Sequence, residues 1–339
     1  MHAVRVHTFG PPDVLVYEEI PMPSPGPGPI LIRVEAVAVN YADIMRRSNT
    51  PYPFPTTLPY IPGSQVAGVV AQLGADVAGP PVGTPVFALV GSDGSTGYAQ
   101  FATAAAAQVI PIPPNLGFEE ACGLVVAGVS AMLILRDLAG LRPGESILIP
   151  GAGGGLGGYA VQIAKLLGAG LVIGAASTVA KREAALAHGA HEVVDYTQPD
   201  WPNHVRDLTD GAGVDVVLEA SGAKLFAESL PCLGAFGRMV VYGMASRQPL
   251  TFDDASILDF FYRPALNQSL HVFNLGLWFG LRPQGAVDAL TKLIGYAAAG
   301  QVHVPVKLVL PLAQAATAHQ MIERRETIGK VILKPWLER

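Results

Sequence analysis

The 339-residue sequence predicts an α/β protein in which a β-rich part precedes a doubly wound parallel sheet. Residues 146–176, SILIPGAGGGLGGYAVQIAKLLGAGLVIGAA, read as apolar strand, glycine turn, amphipathic helix and second apolar strand. Beyond them, short apolar runs alternate with helical patterns, as expected of parallel strands joined by right-handed crossovers. Residues 1–120 instead carry short strand-like runs punctuated by Pro and Gly.

In the β-rich part, Ile30 to Val39 alternates in part, with Arg33 and Glu35 on one side and Ile32, Val34 and Ala36 on the other. The Pro/Gly stretch Pro21–Pro29 before it is a turn-rich connection, too short to separate domains. The pattern changes near Cys122, after which buried strands are expected near 147–150, 171–175, 192–195, 214–219, 238–242 and 269–273. Six strands make up the full doubly wound complement. A helix at 284–299, a strand at Val306–Leu310, a helix from Leu312 to Arg324 and a strand at Gly329–Leu333 close the chain. The expected division is 1–122 for the first domain, 123–275 for the second and 276–339 for a return to the first. The sixth strand, Ser269–Phe273, is expected at a sheet edge with apolar neighbours Val272, Phe273, Leu275, Leu277 and Trp278. A bare apolar edge invites pairing with a second copy, so a homodimer is expected.

Composition narrows the function classes. Half of the residues are apolar and 14% are charged, enough to bury a sizeable core. A formal net charge of −5, with no Lys/Arg-rich run, argues against nucleic-acid binding. No uninterrupted apolar run reaches the ~18–20 residues of a membrane span, and the N-terminus lacks the pattern of a signal peptide. The cysteines are Cys122 and Cys232, which suits a reducing cytoplasm and provides no disulfide framework.

The glycine turn carries the first chemistry. Gly151, Gly154 and Gly157 recur at a three-residue step, with Gly153, Gly155 and Leu156 between them. Glycine there permits a sharp turn and lets a pyrophosphate approach the N–H groups of a helix N-terminus. The following helix carries Leu156, Ala160, Ile163, Ala164 and Leu167 on one face, so both flanks of a dinucleotide-binding Rossmann unit are present. An acid at the end of the second strand would hold the ribose diol of NAD. This chain has Gly174-Ala175-Ala176-Ser177-Thr178 there, followed by Lys181 and Arg182. Hydroxyls from Ser177 or Thr178 and a cation from Lys181 or Arg182 suit a 2′-phosphate, so NADPH is the expected cofactor. Tyr196, after the third strand, is placed to cover the adenine or donate to that phosphate.

A second constellation is Val39-Asn40-Tyr41-Ala42-Asp43, followed by Pro62-Gly63-Ser64-Gln65-Val66-Ala67-Gly68-Val69-Val70. Together with the cofactor region, this order resembles the medium-chain dehydrogenase/reductase superfamily across essentially the whole chain. Its zinc alcohol dehydrogenases place Cys where Asn40 stands and His-Glu where Ser64-Gln65 stands. They also carry a Cys-x₂-Cys-x₂-Cys lobe that this chain lacks. A catalytic zinc needs three Cys, His or carboxylate ligands, so no metal is expected here. The zinc-free pattern is similar to the NADPH:quinone oxidoreductase, zeta-crystallin-like branch. The resemblance implies a GroES-like catalytic domain split around the Rossmann domain. It also implies cofactor contacts at Ser130, Lys181, Tyr196, Ser221, Gly222, Gly243, Phe273 and Lys330. Two departures stand out: Gly at 151 and 153 where quinone reductases often have Ala, and a longer, Pro-rich Thr50–Tyr60 region that should line the acceptor pocket.

Without a metal, quinones and activated alkenes are the favoured acceptors, because conjugation already spreads the charge that a hydride brings. The protein then supplies orientation and hydrogen bonds to the developing oxyanion. Asn40 is the candidate for orienting cofactor or acceptor, with a buried strand-end hydrogen bond as its alternative role. Asp43 reads as structural more than acid–base. Tyr52 is the favoured proton donor, with Tyr41 and Tyr60 as alternatives. The reading is a small-molecule quinone reductase. An enoyl or alkenal reductase is the enzymatic alternative, and an NADPH-binding module without catalysis the non-enzymatic one.

Overall fold

The structure, a computed structural model, describes residues 1–52, 55–91, 94–246, 248 and 266–338. The chain divides into two compact units, one of Met1–Ala127 with Lys292–Arg339 and the other of Gly128–Thr291. The return to the first unit comes at Lys292, inside the helix Pro283–Ala298, later than the change of pattern at 276 suggests.

In the first unit, β1 (His2–Val6) pairs antiparallel with β2 (Leu15–Glu19). The main sheet is built on β3 (Pro29–Ala38), whose alternating residues are buried at Ile30, Ile32, Val34 and Ala36 and leave Arg33 exposed. Beside β3 run β4 (Gln65–Leu73) and, on a branch, β6 (Phe101–Ala105); β5 (Pro85–Leu89) follows β4, with β7 (Val109–Pro111) beyond it. The short helix α1 (Tyr41–Arg47) leaves the end of β3 at Asn40.

The second unit carries one parallel sheet. Its strands are β8 (Ser146–Pro150), β9 (Leu171–Ala175), β10 (Glu192–Val194), β11 (Val214–Glu219), β12 (Leu233–Val241) and β13 (Ser269–Val272), in spatial order β10-β9-β8-β11-β12-β13. Every neighbouring pair is parallel. This is the doubly wound dinucleotide order, whose reversal between the first and fourth strands opens a crevice at their carboxyl ends. The core against it includes Leu148, Ile173, Trp201, Val217, Phe226 and Met239. β13 ends at Val272, one residue short of the expected Phe273, which still donates its N–H to Val241 O at 2.8 Å.

The closing segment of the chain returns to the first sheet. β14 (Val306–Pro311) pairs parallel with β15 (Lys330–Lys334), which pairs antiparallel with β3. Lys330 is thereby delivered to the end of β3, close to Asn40, although 290 residues separate them. Among the described residues one helix, Phe118–Leu138, is long and apolar enough to cross a membrane despite the acids in its first turn. Its most apolar window is 78% buried inside the protein, the state of a core helix.

Candidate functional site

Two groups of residues hold the sequence candidates, one in each unit.

In the second unit, the turn after β8 is shaped by backbone approaches that only glycine permits. Gly151 has φ +74°, in the left-handed region, and a Cβ placed on it meets nothing within 4 Å. A Cβ on Gly157 would fall 2.2 Å from Gly151 O, so the helix Gly155–Leu166 can rest against its own turn only because Gly157 has no side chain. Gly154 caps that helix in an extended conformation and donates its N–H to Gly151 O. The first-turn amides of Gly155, Leu156 and Gly157 therefore point out of the helix end, an anion site by geometry and dipole together. Ser130 is buried on the segment Val129–Met132, which packs against this same helix.

Gly153 brings Lys181 in. A Cβ at Gly153 would lie 2.8 Å from both the Cβ and the carbonyl oxygen of Lys181, so the two backbones are in direct contact. Thr178 caps the helix Val179–Ala187 by accepting from Lys181 N at 3.3 Å, which leaves its O–H able to donate. Arg182 pairs with Asp195 at 2.8 Å and donates to Ala176 O at 3.1 Å, both through Nη1. Of the groups considered for a 2′-phosphate, Ser177 and Lys181 stay half-buried beside the glycine turn. Tyr196 packs part-buried against the core under β9 and β10.

Beyond β11 the sequence reading missed a residue. Glu219 is fully buried at the strand end and accepts from Ser221 N at 2.8 Å and Gly222 N at 2.9 Å. Burial raises its pKa, against the pull of those backbone donors. The amides of Ser221 and Gly222 are thus held inside the protein, and what Ser221 can offer a ligand is its hydroxyl. Gly243 lies against Ala220: a Cβ on it would sit 3.1 Å from Ala220 O. An acid closing an apolar strand before Ser-Gly was the available signal.

In the first unit, Asn40 and Lys330 come together. Lys330 Nζ donates to Asn40 Oδ1 at 2.7 Å and to Val39 O at 2.9 Å, all within a buried environment. Burial lowers the Lys330 pKa to about 8, although Cys122 and Asp43 nearby favour the charged form. Lys330 thus stands with the candidate catalytic residues of its unit. Asp43 opens α1: its carboxylate accepts from Asn40 N at 2.8 Å, Gly63 N at 3.1 Å and Tyr98 Oη at 3.3 Å. Burial raises its pKa, while those amides and the charges of Lys330 and Arg46 oppose the shift. Both carboxylate oxygens thus accept hydrogen bonds from inside the protein. Tyr98 also contacts His319 Nε2 at 3.0 Å, and burial drives the His319 pKa down to about 3, so this imidazole is neutral.

Gln65 is the other engaged polar residue. Its Nε2 donates to Cys122 O at 2.8 Å and its Oε1 accepts from Val126 N at 2.9 Å, tying β4 to the helix Phe118–Leu138. Burial pushes the Cys122 and Cys232 thiols up to about 12, so neither is a thiolate at neutral pH. Tyr52 is half-buried with Arg46 5.7 Å from its ring centroid, and Tyr60 is buried with the same guanidinium at 5.2 Å. Tyr41 lies partly buried on α1. Pro53 and Phe54, part of the expected pocket loop, lie outside the described residues.

Comparison with known proteins places this geometry. Residues 26–114 match the alcohol dehydrogenase GroES-like domain, and residues 155–288 match the family described as zinc-binding dehydrogenase. The chain is 33% identical to the 2-haloacrylate reductase of a Burkholderia species, over 98% of each chain. It is 32% identical to a quinone oxidoreductase of Pseudomonas aeruginosa, over 98% of this chain and 99% of the relative. The crystal structure of Escherichia coli quinone oxidoreductase complexed with NADPH superimposes with a TM-score of 0.87 at 28% identity, covering 99% of this chain and all of the other. The chain belongs to the medium-chain dehydrogenase/reductase superfamily, on its quinone-oxidoreductase, zeta-crystallin-like branch.

The Lys330 shift has a consequence for stability. Its folded pKa of about 8 lies below the ordinary 10.5, so between those values the native state holds fewer protons than the unfolded state. Stability from this group is full above 10.5 and is lost as pH falls through about 8. Relative to Lys330→Met, the wild type should gain roughly 3 kcal/mol between the two pH values, at ~1.36 kcal/mol per unit. Urea melts of both proteins across that range check this, and a pH-independent difference contradicts it.

Proposed function

We propose that this protein is a zinc-independent, NADPH-dependent reductase that passes hydride to a quinone or a similar conjugated acceptor. The observation that carries the reading is the Lys330 ammonium lodged 2.7 Å from Asn40 Oδ1. The matched family description implies zinc, but these side chains do not fit it. Asn40 already accepts from a cation, the Gln65 amide is committed at both ends, and Ser64 is a poor zinc donor. A dication beside that ammonium would meet repulsion in a buried, weakly screened setting. Among the described residues no group of three or more His, Cys, Asp and Glu could hold a metal.

The glycine turn does fit a dinucleotide, since the bare backbones of Gly153 and Gly157 let it close on Lys181 and on its own helix, whose first-turn amides have no partner within the helix. NADPH, when bound, supplies the hydride from its nicotinamide. The amides of Gly155, Leu156 and Gly157 hold the pyrophosphate, with Gly151 and Gly154 shaping the turn. Ser177 and Lys181 read the 2′-phosphate, and Tyr196 covers the adenine. Ser130, the Ser221 hydroxyl, the backbone beside Gly222 and Gly243, and Phe273 complete the cofactor's surroundings. Asn40 and Lys330 orient the reacting groups. An ammonium carries three donors and Lys330 spends two on Asn40 and Val39, so one remains for charge that develops in hydride transfer.

Reduction of an activated alkene is the second reading, favoured by the likeness to a 2-haloacrylate reductase. That chemistry places a proton on carbon, for which Tyr52 is the candidate donor. We further infer a cytoplasmic homodimer with no nucleic-acid or membrane partner. The edge strand β13 and the helix after it expose Val272 (76%), Leu277 (59%) and Leu281 (78%), an apolar strip suited to a second copy. A single-chain mass by light scattering at micromolar concentration contradicts the dimer.

Steady-state NADPH oxidation with 1,4-benzoquinone, an enone and an unconjugated aldehyde tests the function. Turnover with the first or second is expected, and turnover with the aldehyde alone overturns the reading. Lys181→Ala should weaken NADPH roughly 10- to 150-fold, as loss of a charge-assisted hydrogen bond of ~1.5–3 kcal/mol implies, and leave NADH nearly unchanged. Equal loss for both cofactors removes Lys181 from the phosphate site.

A further inference from the structure

Arg46 lies in the first unit, and only 3% of it is exposed; its charge helps to hold the Asp43 carboxylate. Its Nε donates to Thr56 Oγ1 at 3.0 Å and its Nη1 to Gly94 O at 2.9 Å. The same guanidinium lies 5.7 Å from the Tyr52 ring centroid and 5.2 Å from that of Tyr60. One side chain on α1, the helix that Asn40 caps, therefore holds two loops and two aromatic rings. Its neighbour Arg47 turns the other way, to Glu323 near the chain's C-terminal end. A buried guanidinium is costly unless its N–H groups are satisfied, so this arrangement tolerates little movement. The planar fork that hydrogen-bonds at its edge while stacking at its faces is a property of Arg that Lys does not share.

We propose that Arg46 is the positioning residue that sets acceptor specificity. It fixes Tyr52 and the Thr56 segment as an aromatic wall on which a flat acceptor stacks, and it touches neither the cofactor nor the reacting atoms. This rests on the conjugated-acceptor reading above. A wall of this kind acts on acceptor binding and favours extended ring systems over small ones, because stacking scales with ring overlap. It leaves cofactor binding, and the chemical step once the acceptor is seated, largely alone.

The test compares wild type with Arg46→Ala, Arg46→Lys and Thr56→Val, using 9,10-phenanthrenequinone and 1,4-benzoquinone as acceptors. NADPH Kd is read directly from fluorescence, separately from turnover. Both Arg46 variants should raise KM for the three-ring quinone about tenfold, an aromatic contact's worth, with a smaller rise for benzoquinone. NADPH Kd should stay within about twofold and kcat within about threefold, differences under ~1 kcal/mol. Thr56→Val, which keeps the shape and removes one acceptor, should move KM the same way by less. Should Arg46→Ala not fold, Arg46→Lys and Thr56→Val carry the comparison. Unchanged KM for both quinones in the folded variants overturns the role, as does an equal loss of NADPH affinity. A wild-type protein that reduces neither quinone instead sinks the acceptor reading itself, and the role of Arg46 falls with it.

Discussion

A buried ammonium has to be satisfied by whatever surrounds it, and in the first unit the arrangement around Lys330 follows from that requirement. Its acceptors are Asn40 Oδ1 and Val39 O at the end of β3, so β15 must run beside β3 for the contact to exist. Asn40 is fixed in turn by Asp43, which takes its N–H and also that of Gly63. Asp43 can be this deep because Tyr98 and two backbone amides serve its oxygens, and because Lys330 and Arg46 offset its charge. Breaking one member would leave a charged or polar partner buried without compensation, at several kcal/mol for a charge.

The second unit depends on backbone closeness instead. Without side chains at Gly153 and Gly157, the turn after β8 can touch both its own helix and the start of the next one at Lys181. The same closeness exposes first-turn amides to a phosphate and brings a cation within the same neighbourhood. Glu219 plays the corresponding part on the far side of the sheet's switch point, clamping the loop that contains Ser221 and Gly222. The turn after β8 and the loop after β11 are therefore both held in shape by close backbone contacts and backbone hydrogen bonds.

Periodicity made the parallel sheet legible, because strands buried on both faces read as short apolar runs. It was weaker at β12, which starts at Leu233 and not near 238: Gly234, Gly237 and the positive φ of Phe236 interrupt the run. The glycine turn was legible because its spacing carries the mechanism. The polar network of the first unit was not, since Tyr98 and His319 meet across 221 positions and neither has a motif. Arg46 and Arg47 are adjacent and look equivalent in sequence, yet a helix separates successive side chains by ~100° and sends them to different partners. Lys330 was found by resemblance, as a cofactor contact; its place beside Asn40 needed the sheet topology.

The proposed chemistry at this site needs no metal, because an ammonium stands beside Asn40. The most direct measurement is metal analysis of the purified protein paired with NADPH oxidation by a quinone after exhaustive chelation. No stoichiometric zinc and undiminished hydride transfer are expected. One tightly held zinc per chain, with activity lost on chelation and restored by zinc, would contradict it.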